Sequence, residues 1–189
     1  VASGPSTDLV DLRLINGLRC IAVSHGCRAV PDADLLLFGG HSFVRNGAWR
    51  PFNGSLIVQG NPPMAGMALD GRMVHMRRAG AFGLTEDPTK LAGSESSVML
   101  AINYAVHRGV SRIILLGCDG KPGPSGERRI GSPETDTRDA LRRYVDQERA
   151  MRSQIKPLAD LGVSIVNCSP ESALGCYPRA DLEDAIAAL

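Results

Sequence analysis

The chain has 189 residues, 43% of them hydrophobic, which suits one domain with a sizeable core and leaves little room for a second. Its 21 basic and 20 acidic residues leave a formal net charge of +1, so no overall field draws it to nucleic acid, and no apolar run of about 18 residues or charged-then-apolar leader points to a membrane. Five cysteines, Cys20, Cys27, Cys118, Cys168 and Cys176, are odd in number and lack C-x-x-C spacing, which argues against a disulfide framework or zinc site and for a reducing, cytoplasmic compartment.

The chain opens inside a strand, which predicts residues upstream, and that strand breaks at Ser3-Gly4-Pro5-Ser6. Further short apolar runs predict strands over 20–24, 35–38, 56–58, 73–76, 112–117 and 164–167. Continuous runs such as Ile113-Ile114-Leu115-Leu116 imply burial on both faces, as in a parallel sheet. Between the third and fourth of these strands, 39–52 reads as a loose region carrying His41, Asn46, Trp49 and Arg50. Val98, Ala101, Ile102, Ala105 and Val106 recur at helical spacing over 97–108, with Gly109 as the stop. A Gly- and Pro-rich stretch over 121–132 predicts a loop above the sheet edge. The longest helix is expected over 133–161, with Pro133 in its first turn, Glu134 and Asp136 at its positive end, Pro157 as a kink and Gly162 beyond its end. Arg142, Arg143, Arg149 and Arg152 alternate on it with Asp139, Asp146 and Glu148, the pattern of a solvated face rather than a nucleic-acid patch. Strands alternating with helices predict a single α/β domain over 1–189 with a largely parallel sheet.

In such a fold the segments after the strands gather at one edge, where ligands bind. Here they are Ser3-Gly4-Pro5-Ser6, Ser24-His25, Gly39-Gly40-His41, Gly117-Cys118-Asp119 and Asn167-Cys168-Ser169-Pro170. Gly4 permits close approach of backbone to a phosphate, and Ser3 and Ser6 can donate to its oxygens. His25 suits acid–base work near neutral pH, with His41 a weaker candidate. Asp119 suits a ribose diol, a magnesium ion or a turn cap. Gly93-Ser94-Glu95-Ser96-Ser97 precedes the helix at 97, where N-capping and anion binding are compatible uses of Ser96 and Ser97. His75, Arg77 and Arg78 end the fifth strand and read as solvated surface.

The opening Ser-Gly-Pro-Ser, the strand 19–24, the segment 96–103 and the strand and turn 113–119 resemble a Rossmann-like superfamily. One branch contains bacterial sialyltransferases that use a cytidine-monophosphate sugar; another contains archaeal 6-hydroxymethylpterin pyrophosphokinases. The ending Asn167-Cys168-Ser169-Pro170 and Tyr177-Pro178 is similar to a third, bacteriophage-encoded branch. The resemblance implies a three-layer sandwich that binds a nucleotide or nucleotide-sugar against Gly4, Pro5 and Ser6, with Ser24, His25, Ser96 and Ser97 around the donor. It implies a glycosyltransferase-like transferase with His25 or Asp119 as base, or a pyrophosphokinase with magnesium on Asp119 and ATP as donor. Ser24 replaces a common Asn, Val98 stands where Gly is usual, and no His follows Asp119, departures that count against sialyl transfer itself and keep a non-catalytic phage binding protein as a further reading. A homo-oligomer is compatible with all of these.

Overall fold

The structure is a computed structural model that describes residues 1–39, 41–60, 71–93, 96–124, 126 and 138–189, with side chains at all of these except 41, 42 and 138–141. The apolar runs form β1 (Ile21–Val23), β2 (Leu35–Phe38), β3 (Ser55–Gln59), β4 (Met73–Gly80), β5 (Lys90–Ala92), β6 (Arg112–Leu115) and β7 (Ser164–Asn167). Between them lie α1 (His41–Arg45), α2 (Ser97–His107), α3 (Arg138–Arg152), α4 (Ile155–Asp160) and α5 (Leu182–Ala187). Strands β1 to β5 pair in sequence order, each parallel to the next, and β6 pairs in parallel with β7.

The first two residues join these sheets. The Val1 nitrogen donates to the Ile21 carbonyl at 2.7 Å, and the Val23 N–H donates to the Val1 carbonyl at 2.8 Å. On the other side the Ala2 N–H donates to the Leu116 carbonyl at 2.7 Å, and the Gly4 N–H to Gly117 at 2.8 Å. The sheet therefore runs β5-β4-β3-β2-β1, then Val1–Ala2, then β6-β7, and its order of progression reverses at the N-terminal residues. That reversal is the topological switch point of a doubly wound sheet.

Period-2 alternation sorts the strand residues between two faces. Val23, Leu37, Ile57 and Leu115 join Met99, Leu100 and Ile102 of α2, with Met151 and Leu158 from α3 and α4. On the opposite face Leu36, Phe38, Leu56 and Val58 pack against Phe43, Trp49 and Phe52. Leu116 packs there against Leu182 and Ala185 of α5. Helices on both faces of an all-parallel sheet make this a Rossmann-like three-layer α/β fold, as expected. No described helix is long and apolar enough to cross a membrane.

Three expectations change. The stretch 39–52 is not loose: Phe43, Val44, Trp49 and Phe52 are buried, because an aromatic-rich segment is what covers that face of β2 and β3. The helix expected over 133–161 is two helices with a break at Ser153-Gln154. A proline ring clashes with the carbonyl four residues before it, so Pro157 breaks the helix at Ser153, one turn upstream of itself. Buried Gln154 holds the break, donating to the carbonyls of Gly83 at 3.1 Å and Met99 at 3.2 Å. Strand β5 was not expected. Gly40, most of the 121–132 loop and the expected helix start at 133–137 lie outside the described residues.

Candidate active-site cleft

At the switch point a cleft of about 270 Å³ opens beyond the carboxyl ends of the strands. Ser3 and Gly4 form one wall, Ser24 and His25 after β1 a second, Ser96 and Ser97 at the start of α2 a third, and the turn from Gly117 to Lys121 the fourth. Three of the five expected strand-end segments, together with the expected start of the helix at 97, thus converge there. Pro5 lies behind the wall in a 3-10 turn over Pro5–Leu9, and Ser6 is buried under it. The backbone of Gly39 and His41 lies at the end of β2 outside the cleft lining, and the His41 side chain is outside the described set.

Asp119 organises the floor. Its Oδ2 accepts from the Ser6 N–H at 2.8 Å and its Oδ1 accepts from the Ser6 hydroxyl, so both carboxylate oxygens are engaged by the loop they face. Burial pushes its carboxyl above the ordinary range, against the opposing pull of the Ser6 bonds and Lys121. Gly4 is needed for this arrangement rather than for a ligand: a Cβ there would lie 2.5 Å from Asp119 Cγ and 2.5 Å from the Gly117 carbonyl oxygen. Gly117, at φ +66°, turns the chain from β6 toward Asp119 in a conformation that side chains rarely adopt.

The segment after β7 braces that turn from behind. The Ser169 hydroxyl accepts from the Cys118 N–H at 2.7 Å, and the Asn167 amide donates to the Cys118 carbonyl at 3.1 Å and to Ser172 at 2.9 Å. Asn167-Cys168-Ser169-Pro170 therefore supports the cleft without lining it. The Cys118 thiol, buried, is pushed up to about 12 and is no nucleophile at neutral pH.

Across the cleft Ser96 caps α2, its hydroxyl accepting from the Val98 N–H at 3.3 Å. The Met99 N–H donates to the Ser96 carbonyl at 3.0 Å, and the positive end of the helix dipole remains at the cleft wall that Ser96 and Ser97 form. Ser97 Oγ lies 3.2 Å from Ser24 Oγ, which ties the end of β1 to α2. Ser24 holds φ +49°, a left-handed conformation that costs a non-glycine residue about 1–3 kcal/mol. That turn sets the following His25 edge-on against Phe43, ring centroids 4.8 Å apart and planes at 80°. No family model matches the chain, and no curated protein or solved structure matches it.

Sequence reasoning missed part of the lining. Lys121 brings an ammonium to the cleft, 3.8 Å from Glu171 Oε2. Tyr144, Gln147 and Met151 of α3 form the remaining side. Their spacing of three and four residues places them on one helical stripe, a signal present in the sequence but silent until α3 is placed over the switch point. His75, Arg77 and Arg78 on β4 lie outside the lining. Among the described residues no group of three or more His, Cys, Asp or Glu side chains gathers as a metal-ligand set.

Proposed function

We propose that the protein is a nucleotide-dependent transferase of glycosyltransferase-like type, binding a nucleotide or nucleotide-sugar in the cleft at the switch point. The observation that carries this reading is the convergence of Ser3-Gly4, Ser24-His25, Ser96-Ser97 and Lys121 on one cleft beyond the carboxyl ends of an all-parallel sheet. The hydroxyls, the α2 N-terminus and the Lys121 ammonium offer donors to phosphate oxygens and stabilise a departing phosphate. Tyr144 and Gln147 present an aromatic face and an amide to the base or sugar. His25 takes the proton of the acceptor hydroxyl; Asp119, with both oxygens occupied by Ser6, positions the loop instead.

A thermal-shift panel of CMP, UDP, ATP and sugar nucleotides, with and without magnesium, tests the binding. A ligand held only by the folded state at 100 times its Kd adds about 2.7 kcal/mol, a rise in Tm of roughly 5–10 °C for a domain of this size. No shift with any nucleotide would sink the reading. Where one shifts, His25→Ala is expected to retain binding and lower product formation about 10²- to 10⁴-fold. Binding with no product from the unsubstituted chain identifies a non-catalytic nucleotide-binding protein.

A further inference from the structure

A second cavity, of about 690 Å³, lies at the other end of the same junction, between the starts of β1 and β6. Ile21 stands on one side and Ile114 on the other, with Ala101 and Ala105 of α2 against one face and Ile15 and Leu18 against the opposite face. Most of its lining side chains are apolar, with Arg19, Asp34, Ser55, Arg108 and Arg112 among them. The backbone says more.

Residues of a parallel strand turn their N–H and carbonyl groups alternately to its two neighbours. On β1, the Ile21 carbonyl and the Val23 N–H face Val1, so the Ile21 N–H points into the cavity. On β6, the Ser111 and Leu115 carbonyls accept from Ser164 and Cys168, and the Leu116 carbonyl accepts from Ala2. The Leu116 N–H and both backbone groups of Ile114 therefore point into the same space. A bound apolar small molecule would leave each of these groups unpaired, and an extended chain would pair them. The pairing already begun by Val1 and Ala2 runs straight into the cavity.

We infer that this cavity is a strand site: an extended apolar segment leading into Val1 lies between β1 and β6, parallel to both, and makes one continuous sheet of the two. The Leu116 carbonyl accepts from Ala2, which in a parallel pair sets Val1 opposite Leu116, and β6 starts at Arg112, so a segment of about four residues at ~3.3 Å each fills the site. Its alternate side chains meet α2 on one face and the Ile15–Leu18 turn on the other, so both sets are apolar.

The 189-residue chain is compared with two forms lengthened at the N-terminus, one by Val-Ile-Val-Ile-Val and one by Gly-Ser-Gly-Ser-Gly. The apolar extension is expected to raise Tm by about 5 °C or more and to slow amide exchange at Ile21 and Leu116 about tenfold or more, while the Gly-Ser extension does neither. Equal Tm and exchange in all three chains overturn the inference. If the apolar form precipitates, the same pentapeptide, acetylated and amidated, is added to the 189-residue chain: slowed exchange at Ile21 and Leu116 supports the strand site, and unchanged exchange overturns it. An apolar dye that binds all three chains equally identifies a small-molecule cavity, which also overturns it. Neither readout involves a nucleotide.

Discussion

A methyl group at Gly4 must displace either the Asp119 carboxyl or the Gly117 carbonyl, both 2.5 Å from where it would sit. Gly117 O is itself held by the Gly4 N–H, so the easier movement is of Asp119, which takes Ser6 with it. Gly4→Ala is thus expected to cost about 1–3 kcal/mol, read as a fall in Tm of several degrees, and to weaken whatever binds the cleft. An unchanged Tm would mean that the floor is softer than its contacts imply. Asp119 gives a second residue-scale prediction, in pH. Its folded-state pKa is raised above 3.8 by burial, so between 3.8 and that raised value the folded chain binds more protons than the unfolded one. Its contribution to stability is therefore fully present below that window and is lost as pH rises through it. Asp119→Asn removes the titration while Oδ1 can still accept from Ser6, and should flatten this part of a denaturant-midpoint profile against pH. Asp119→Ala strands the Ser6 N–H and should lose about 1–3 kcal/mol at every pH.

At the scale of elements, β5 shows what a short strand needs. Its three residues bury Leu91 and Ala92, and it is pinned by side chains from elsewhere. The Asn103 side chain of α2, wholly buried, accepts from the Ala92 N–H at 2.8 Å and donates to the Thr85 carbonyl at 3.2 Å. His107, one turn later, meets the Lys90 carbonyl at 3.1 Å, and Gln59 of β3 donates to that of Leu91 at 2.8 Å. Asn103→Ala is expected to cost about 3 kcal/mol, since it leaves several buried backbone groups without a partner, and to speed amide exchange at Ala92 before the rest of the sheet. Exchange at Ala92 that tracks global unfolding would show that β5 does not depend on α2. No periodicity in Lys90-Leu91-Ala92 announces such a strand, because its stability comes from Asn103, His107 and Gln59, far away in the chain. By contrast 35–38 and 164–167 were legible at their true bounds, as their branched apolar residues fill both faces without help. The helix break at Ser153-Gln154 was legible only as a proline at 157, and reading it required the clash to be placed one turn upstream.

For the whole molecule, the strand ends named the cleft because a parallel sheet brings them to one edge whatever the details of packing. Ser3, Ser24, His25 and Asp119 were readable on that ground alone, and Ser96 and Ser97 as the start of α2. What the sequence hides is which side chains turn inward: Ser6 and Asp119 satisfy each other, Asn167 and Ser169 serve as buttresses, and Tyr144 and Gln147 arrive from a helix whose placement depends on the 153–154 break. The 39–52 stretch was misread for a related reason, since Trp49 and Phe52 have no helical or strand period and are ordered by the sheet face they cover.

The floor of the cleft also has a history in time. Ser6 and Asp119 stand 113 residues apart in the chain, and Val1–Ala2 occupies the centre of the sheet although it is made before the strands on either side of it. At a synthesis rate of about 5–20 residues per second, Ser6 waits roughly 6–20 s for the carboxylate that will hold it. The strands β1 to β5 can pair in order as they emerge, but the two halves cannot close on one another until β6 appears. For a ribosome, the binding site thus closes only after residues from both halves of the sheet have been released.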